Sequence, residues 1–241
     1  MAWRVCLVAL LVLWSAAVAA RHGTGVIDPR RATPGIRIEL VELPSGASAA
    51  EKKYQLRAEG VPRGFTFDVW TQDFGQQFKE AYSGFRVEAT GVLASVYGSG
   101  QPRRLEDIAL GPGPYPKGAV WMVALASEDH KLSAFAKVIP HPIVARDRAC
   151  SVFLELISLH GNRFLATGAG FVPGEEVDVD LLSAGRVTQR KLRVSADGRL
   201  PLDVVMHGGI GTDLSARYAV KASSCGPAIE YEWGEAAVKR R

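Results

Sequence analysis

The chain contains the same strand-forming pattern twice, and any fold it adopts must accommodate both copies. The clearer copy is RFLATGAGFVPGEEVDVDLLSAGRVTQRKLRVSADGRL, residues 163–200. Its counterpart opens with YQLRAEGVPRGFTFDVW from Tyr54 and resumes with GFRVEATGVL from Gly84. Four blocks recur in the same order. IELVEL (residues 38–43) matches LELISL (154–159) at an offset of 116. Gly60 and Gly64 match Gly170 and Gly174 at 110. RVEATGVL (86–93) matches RVSADGRL (193–200) at 107. VWMVALAS (120–127) matches RYAVKASS (217–224) at 97, which pairs Trp121 with Tyr218. The offsets only shrink, so the first copy has the longer loops.

Each copy reads as β. Phe65, Phe67 and Val69 alternate with Thr66, Asp68 and Trp70; Val177, Val179 and Leu181 alternate with Asp178, Asp180 and Leu182. Period two with one apolar face is a half-buried strand. Gly64 and Gly174, each next to or near a proline, mark turns before these strands. Ala196-Asp197-Gly198 reads as a hairpin-type turn. Many short strands between turn signals predict an all-β chain: two tandem antiparallel immunoglobulin-like β-sandwiches.

The first twenty residues, MAWRVCLVALLVLWSAAVAA, have a basic flank at Arg4, a short apolar run and small residues before a cleavage point. That is the pattern of a secretory signal peptide, residues 1–20. After its removal no stretch is apolar and long enough to span a bilayer as a helix. Residues 21–35 carry Gly and Pro without periodicity and read as a flexible N-terminal arm. Domain 1 is expected over residues 36–143 and domain 2 over 148–238, with Pro140 and Pro142 stiffening the join. Removing residues 1–20 takes one arginine and no acid, lowering the net charge from +4 to +3. So mild a charge gives no reason to expect nucleic acid. Arginine outnumbers lysine 20 to 9, as in a GC-rich bacterial gene. The location expected is secreted or periplasmic. In such an oxidising compartment Cys150 and Cys225 are expected to pair, closing 74 intervening residues.

No Gly-X-Ser-X-Gly, His-Glu-X-X-His or Walker pattern occurs, so no catalytic residue, metal ligand or cofactor is expected. His160 and His207 read as loop histidines. Asp178 and Asp180 share a strand face that reads as solvated, with Asp197 in the nearby turn. Trp70 departs from the repeat, because its alignment partner is Asp180. It is packed under the inserted segment TQDFGQQFKEAYSGF, buried at a domain interface, or exposed for contact. Phe74, Phe78 and Tyr82 lie in that segment, so Trp70, Phe74, Phe78 and Tyr82 are the candidate binding residues. Trp121 and Trp233 read as core.

GFVPGEEVDV followed by VSADGRL resembles the repeat of bacterial immunoglobulin-like or fibronectin type III-like surface domains, across about 200 residues of the two copies. The resemblance implies seven-stranded sandwiches used for adhesion, spacing or binding, with no catalytic residues to carry over. The chain is also similar in size and class to two-domain periplasmic pilus chaperones, without their last long first-domain strand. The function expected is a non-catalytic interaction protein of the bacterial envelope or exterior that recognises a protein or polymer through domain 1. The alternative is a spacer or accessory subunit that pairs through β-edge strands.

Overall fold

The computed structural model describes residues 27–44, 51–95, 102–208 and 214–239. The expected signal peptide and the first residues of the arm lie outside them. Among the described residues the first sandwich contains β1 (Arg37–Glu42), β2 (Tyr54–Glu59), β3 (Phe67–Gln72), β4 (Lys79–Val87), β5 (Leu93–Ser95), β6 (Arg103–Arg104), β7 (Ala109–Leu110), β8 (Trp121–Ser127) and β9 (Ser133–Val138). The second contains β10 (Ile143–Asp147), β11 (Cys150–Leu156), β12 (Arg163–Ala169), β13 (Glu176–Ser183), β14 (Arg186–Arg193), β15 (Arg199–Met206), β16 (Ser215–Lys221) and β17 (Ala228–Glu232). A single helical turn, α1 (Glu235–Val238), follows. The chain is all-β, as expected, and every strand pair is antiparallel.

Part of the strand order appears twice: β1-β2 and β4-β3-β8-β9 match β11-β12 and β14-β13-β16-β17. In the first sandwich β1-β2-β7 faces β6-β5-β4-β3-β8-β9; in the second β10-β11-β12-β15 faces β14-β13-β16-β17. Alternation sets which face is buried. In β13, Val177, Val179 and Leu181 point inward while Asp178 and Asp180 point out. In β3, Phe67 and Val69 are fully buried. Phe65 lies before the strand begins and is exposed. The core is one continuous apolar cluster through both sandwiches.

The registers refine the repeat. Arg37 lies opposite Glu59, and Ser151 opposite Ala169. With the later strands offset by 110, the first strands are offset by 114, not 116. Trp70 faces Ala124 and Asp180 faces Ala219, an offset of 95 rather than 97. Tyr218 therefore corresponds to Val123, not Trp121. Both corrections are two residues. A slip of two leaves every side chain on its own face, so alternation could not detect it; a slip of one would have inverted the strand.

Other expectations shift too. The inserted segment carries β4, and residues 186–193 of the second copy form β14. The turn at Asp197-Gly198 exists, with Gly198 at φ +76, but it is not a hairpin. It carries the chain from β14 to β15 on the opposite sheet. The two-residue hairpin lies one turn earlier, at Ala184 and Gly185, both with positive φ. Residues 143–147, at the end of the expected join, form β10 and pair with β11. The described part of the arm is anchored: Thr33 N–H donates to Ser133 O at 2.7 Å, and Ser133 N–H to Thr33 Oγ1 at 2.9 Å.

The two sandwiches meet through backbone. Leu156 N–H donates to Gly118 O at 2.9 Å, and Gly118 N–H to His141 O at 2.8 Å. The expected disulfide is present: Cys150 opens β11 and joins Cys225, in the turn between β16 and β17. It staples one sheet of the second sandwich to the other. Ile36, at the position of Cys150 in the first copy, is simply buried.

Candidate functional site

Of the four candidate binding residues, two share a face and two do not. Trp70 points away from the core and is half-buried. Its ring meets His130 edge-on, 5.4 Å between centroids, and its Nε1 is buried with no hydrogen-bond partner. Across the sheet Trp70 faces Ala124, which faces Phe135. Phe78 packs on Phe135 at 6.0 Å. Trp70 and Phe135 thus flank buried Ala124 on neighbouring strands, each packed on a different ring. Tyr82 lies opposite buried Val69, which places it on the core side, with the Arg103 guanidinium 5.9 Å from its ring centre. Phe74 packs against the core, and its N–H donates to Tyr115 Oη at 2.6 Å. Next to it, a side chain at Gly75 would overlap Leu159 of the second sandwich. The inserted segment therefore also braces the junction.

On the same side of β3 as Trp70, Asp68 is buried and accepts the Gly84 N–H at 2.9 Å, where the β3–β4 register shifts. Burial raises its pKa above the ordinary carboxylate range.

The matching face of the second sandwich is ionic. Asp180, in Trp70's place, lies 2.6 Å from Lys221 Nζ and accepts from Gln189 Nε2 at 3.0 Å. Its carboxyl is held below the usual range by the Lys221 hydrogen bond. Glu176 and Lys191 pair beside it at 2.8 Å.

A different face carries exposed apolar surface. On the outer side of β10-β11-β12-β15, Val144, Phe153, Thr167 and Leu202 form one row; Glu155, half-buried Leu165 and exposed Val204 form the next; Ile157, Arg163 and Met206 form the third. Leu202 is 71% exposed, Met206 63% and Phe153 38%. Arg146 and Arg199 stand at one end, while Arg163 lies within the third row opposite Met206, and Glu155 within the second opposite Leu165. Strands about 4.8 Å apart and rows about 7 Å apart give the whole four-strand face a footprint on the order of 300–400 Å², of which Thr167, Glu155 and Arg163 take the polar part.

His207 is not a loop histidine. It lies 5% exposed at the end of β15, with Nδ1 2.9 Å from Ser183 Oγ and Nε2 2.8 Å from Tyr231 Oη. Its ring stacks on Trp233 at 5.2 Å. Burial lowers its pKa to about 4, so the ring is neutral at pH 7. Nearby, Tyr218 Oη donates to buried Asp203 at 2.9 Å, and Arg190 approaches the same carboxylate to 2.6 Å. Burial pushes the Tyr218 and Tyr231 hydroxyl pKa values far up. Ser183, Tyr231, Tyr218 and Arg190 belong to one sheet, His207 and Asp203 to the other. Both ring nitrogens are engaged inside this network, which acts as a polar cross-link between sheets. Among the described residues no three acidic, histidine or cysteine side chains converge as metal ligands. No described helix is long and apolar enough to cross a membrane.

No family model matches this chain, and no curated protein matches it. Among solved structures, the tetra-tandem repeat in the extending region of a large adhesion protein aligns with 82% of this chain. The identity is 11% and the TM-score 0.26, and the chain spans about half (49%) of that structure's length.

The outward apolar face had a sequence signal that alternation alone passes over. In SVFLELI, inward Val152, Leu154 and Leu156 interleave with outward Phe153 and Ile157. In RLPLDVVM, inward Leu200 and Val205 interleave with outward Leu202, Val204 and Met206. Apolar residues of both parities mark a strand covered on both sides, or one that needs covering.

Proposed function

We propose that this chain is a non-catalytic interaction protein of the bacterial envelope or exterior, and that its contact surface is the outer face of β10-β11-β12-β15. The observation that carries the reading is the set of apolar side chains Val144, Phe153, Leu202, Leu165, Val204, Ile157 and Met206, interspersed with Thr167, Glu155 and Arg163, on a sheet whose other side already fills the core. The complementary partner is a protein surface with apolar side chains and with carboxylates opposite Arg146, Arg163 and Arg199. The Cys150–Cys225 disulfide fits an oxidising compartment. A second reading keeps the contact on domain 1, where Trp70, Phe135 and Phe78 present half-buried rings. That face is the weaker candidate, because its rings are half-buried and already engaged, Trp70 with His130 and Phe78 with Phe135.

Capture from envelope extracts separates the two readings. The baits are wild type, a Val204→Glu/Met206→Glu protein and a Trp70→Ala protein, each shown to be folded. The proposal expects a partner held by wild type and by Trp70→Ala, and released by the double variant. The reverse pattern moves the contact to domain 1. Retention by both variants contradicts each surface.

A further inference from the structure

β10, β14, β15 and β17 are the edge strands of the second sandwich, and one of them lacks what guards the others. A strand edge presents unpaired N–H and C=O groups, and charged side chains there oppose the addition of a further strand. The outward side chains of β14 include Lys191 and Arg193, those of β17 include Glu230 and Glu232, and β10 carries Arg146. β15 pairs with β12 on one side and, among the described residues, with no strand on the other. Over residues 202–206 its outward side chains are Leu202, Val204 and Met206, all exposed and none charged. The one acid there, Asp203, is buried and points inward to Tyr218 and Arg190. β14 reaches β15 from the opposite sheet through that Arg190–Asp203 contact, so it does not take the position alongside β15. His207 N–H donates to Asn162 O at 2.9 Å. Backbone groups alternate sides along an antiparallel strand, so those of Asp203 and Val205 also turn to β12, and those of Val204 and Met206 turn to the open edge. Pro201, which has no N–H, stands where the β12–β15 register shifts and ends this run.

We infer that β15 pairs with β15 of a second copy of this chain, antiparallel about a two-fold axis at Val204, joining two four-stranded sheets into one. Register selects that axis. With Val204 opposite its own copy, Leu202 lies opposite Met206 of the second copy, so every outward pair is apolar. On the inward side each Asp203 then lies opposite a Val205. Moving the axis back to Asp203 would set two carboxylates directly opposite each other, which is unfavourable. Moving it forward to Val205 would shorten the pairing, because Leu202 would then face Gly208, beyond the end of β15 at Met206. Pairing at the edge leaves the outer face of the sheet uncovered. It extends the contact surface proposed above rather than occupying it, and it does not rest on that reading.

Sedimentation equilibrium of the purified protein tests the inference. Wild type should associate to dimers and no further, because a two-fold contact closes on itself. Val204→Pro removes an N–H that β12 does not use, a change an edge strand tolerates, and should abolish the dimer. Val204→Lys and Val204→Glu each set like charges across the axis and should weaken the dimer at least about tenfold. An equimolar mixture of those two variants sets Lys against Glu and should recover most of the loss. Near-ultraviolet circular dichroism first shows each variant folded, and the Lys and Glu variants carry the test if Val204→Pro does not fold. Wild type that stays monomeric at millimolar concentration overturns the inference. So does a dimer that persists in Val204→Pro, or a mixture that associates no more tightly than either variant alone. Loss of the dimer in Val204→Pro with capture of the envelope partner retained supports it, and separates the edge from the face.

Discussion

Trp70 and Asp180 occupy the same position in two copies of one sandwich, yet their surroundings are opposite. Around Trp70 the outer face of the sheet is aromatic, with Phe78, Phe135 and His130. Around Asp180 it is ionic, with Lys221 and the Glu176–Lys191 pair nearby. The inward residues at the flanking positions stay apolar in both: Phe67 and Val69 in one, Val177 and Val179 in the other. The contrast teaches that the fold constrains inward positions and leaves outward ones free to diverge. It also shows that divergence is not the same as exposure. The rings of the Trp70 face are half-buried and engaged, while the most exposed apolar side chains lie on the other sheet of the second sandwich.

The largest effect should come from the staple that only the second copy has. Replacing Cys150 and Cys225 by alanine should cost about 4 kcal/mol on the chain-entropy model, concentrated in the second sandwich. Denaturation followed by residue-resolved exchange would show this; equal losses in both copies would break the comparison. Next comes acid. His207 has a folded pKa of about 4 against an ordinary 6.5. The unfolded chain takes up the proton first, so the stability His207 contributes is full above pH 6.5. It is lost as pH falls towards 4, amounting to about 3 kcal/mol. Urea midpoints across that window should fall steeply in wild type and much less in His207→Gln.

Trp70→Asp, which imports the residue of the second copy, should destabilise the first sandwich by roughly 2 kcal/mol, less than truncating a fully buried tryptophan. An unchanged urea midpoint would show that Trp70 covers nothing. Val204→Glu/Met206→Glu should leave stability within about 0.5 kcal/mol per site, because those side chains point outward. Lys221→Ala should not shift the melting temperature measurably at physiological salt, since the Lys221 end of its pair with half-buried Asp180 is exposed.

Much of this was legible in the residues. Alternation in β3 and β13 placed Phe67, Val69, Val177 and Val179 inward, and the two cysteines beyond residues 1–20 marked the staple. Period-two patterns are blind to slips of two, which is why β1 and β8 were first aligned two residues away from their structural counterparts. Local turn chemistry marked Gly198 but could not say that β14 and β15 part to different sheets; that depends on long-range pairing. His207 was hidden because the partners that make it a core residue, Ser183 and Tyr231, are each 24 positions away. Trp70 departs from the repeat in sequence, but its contact with His130 is tertiary. The exposed face was hidden because apolar residues of both parities look the same whether or not something covers them.

Oxidative footprinting of the complex captured from envelope extracts tests the central claim most directly, because one molecule carries a reporter on each face. Met206 is open to oxidation, and Trp70 reports on the opposite candidate. The account predicts that bound partner slows oxidation of Met206 and leaves that of Trp70 unchanged. Protection of Trp70 with Met206 still reactive would contradict it and return the contact to the first sandwich.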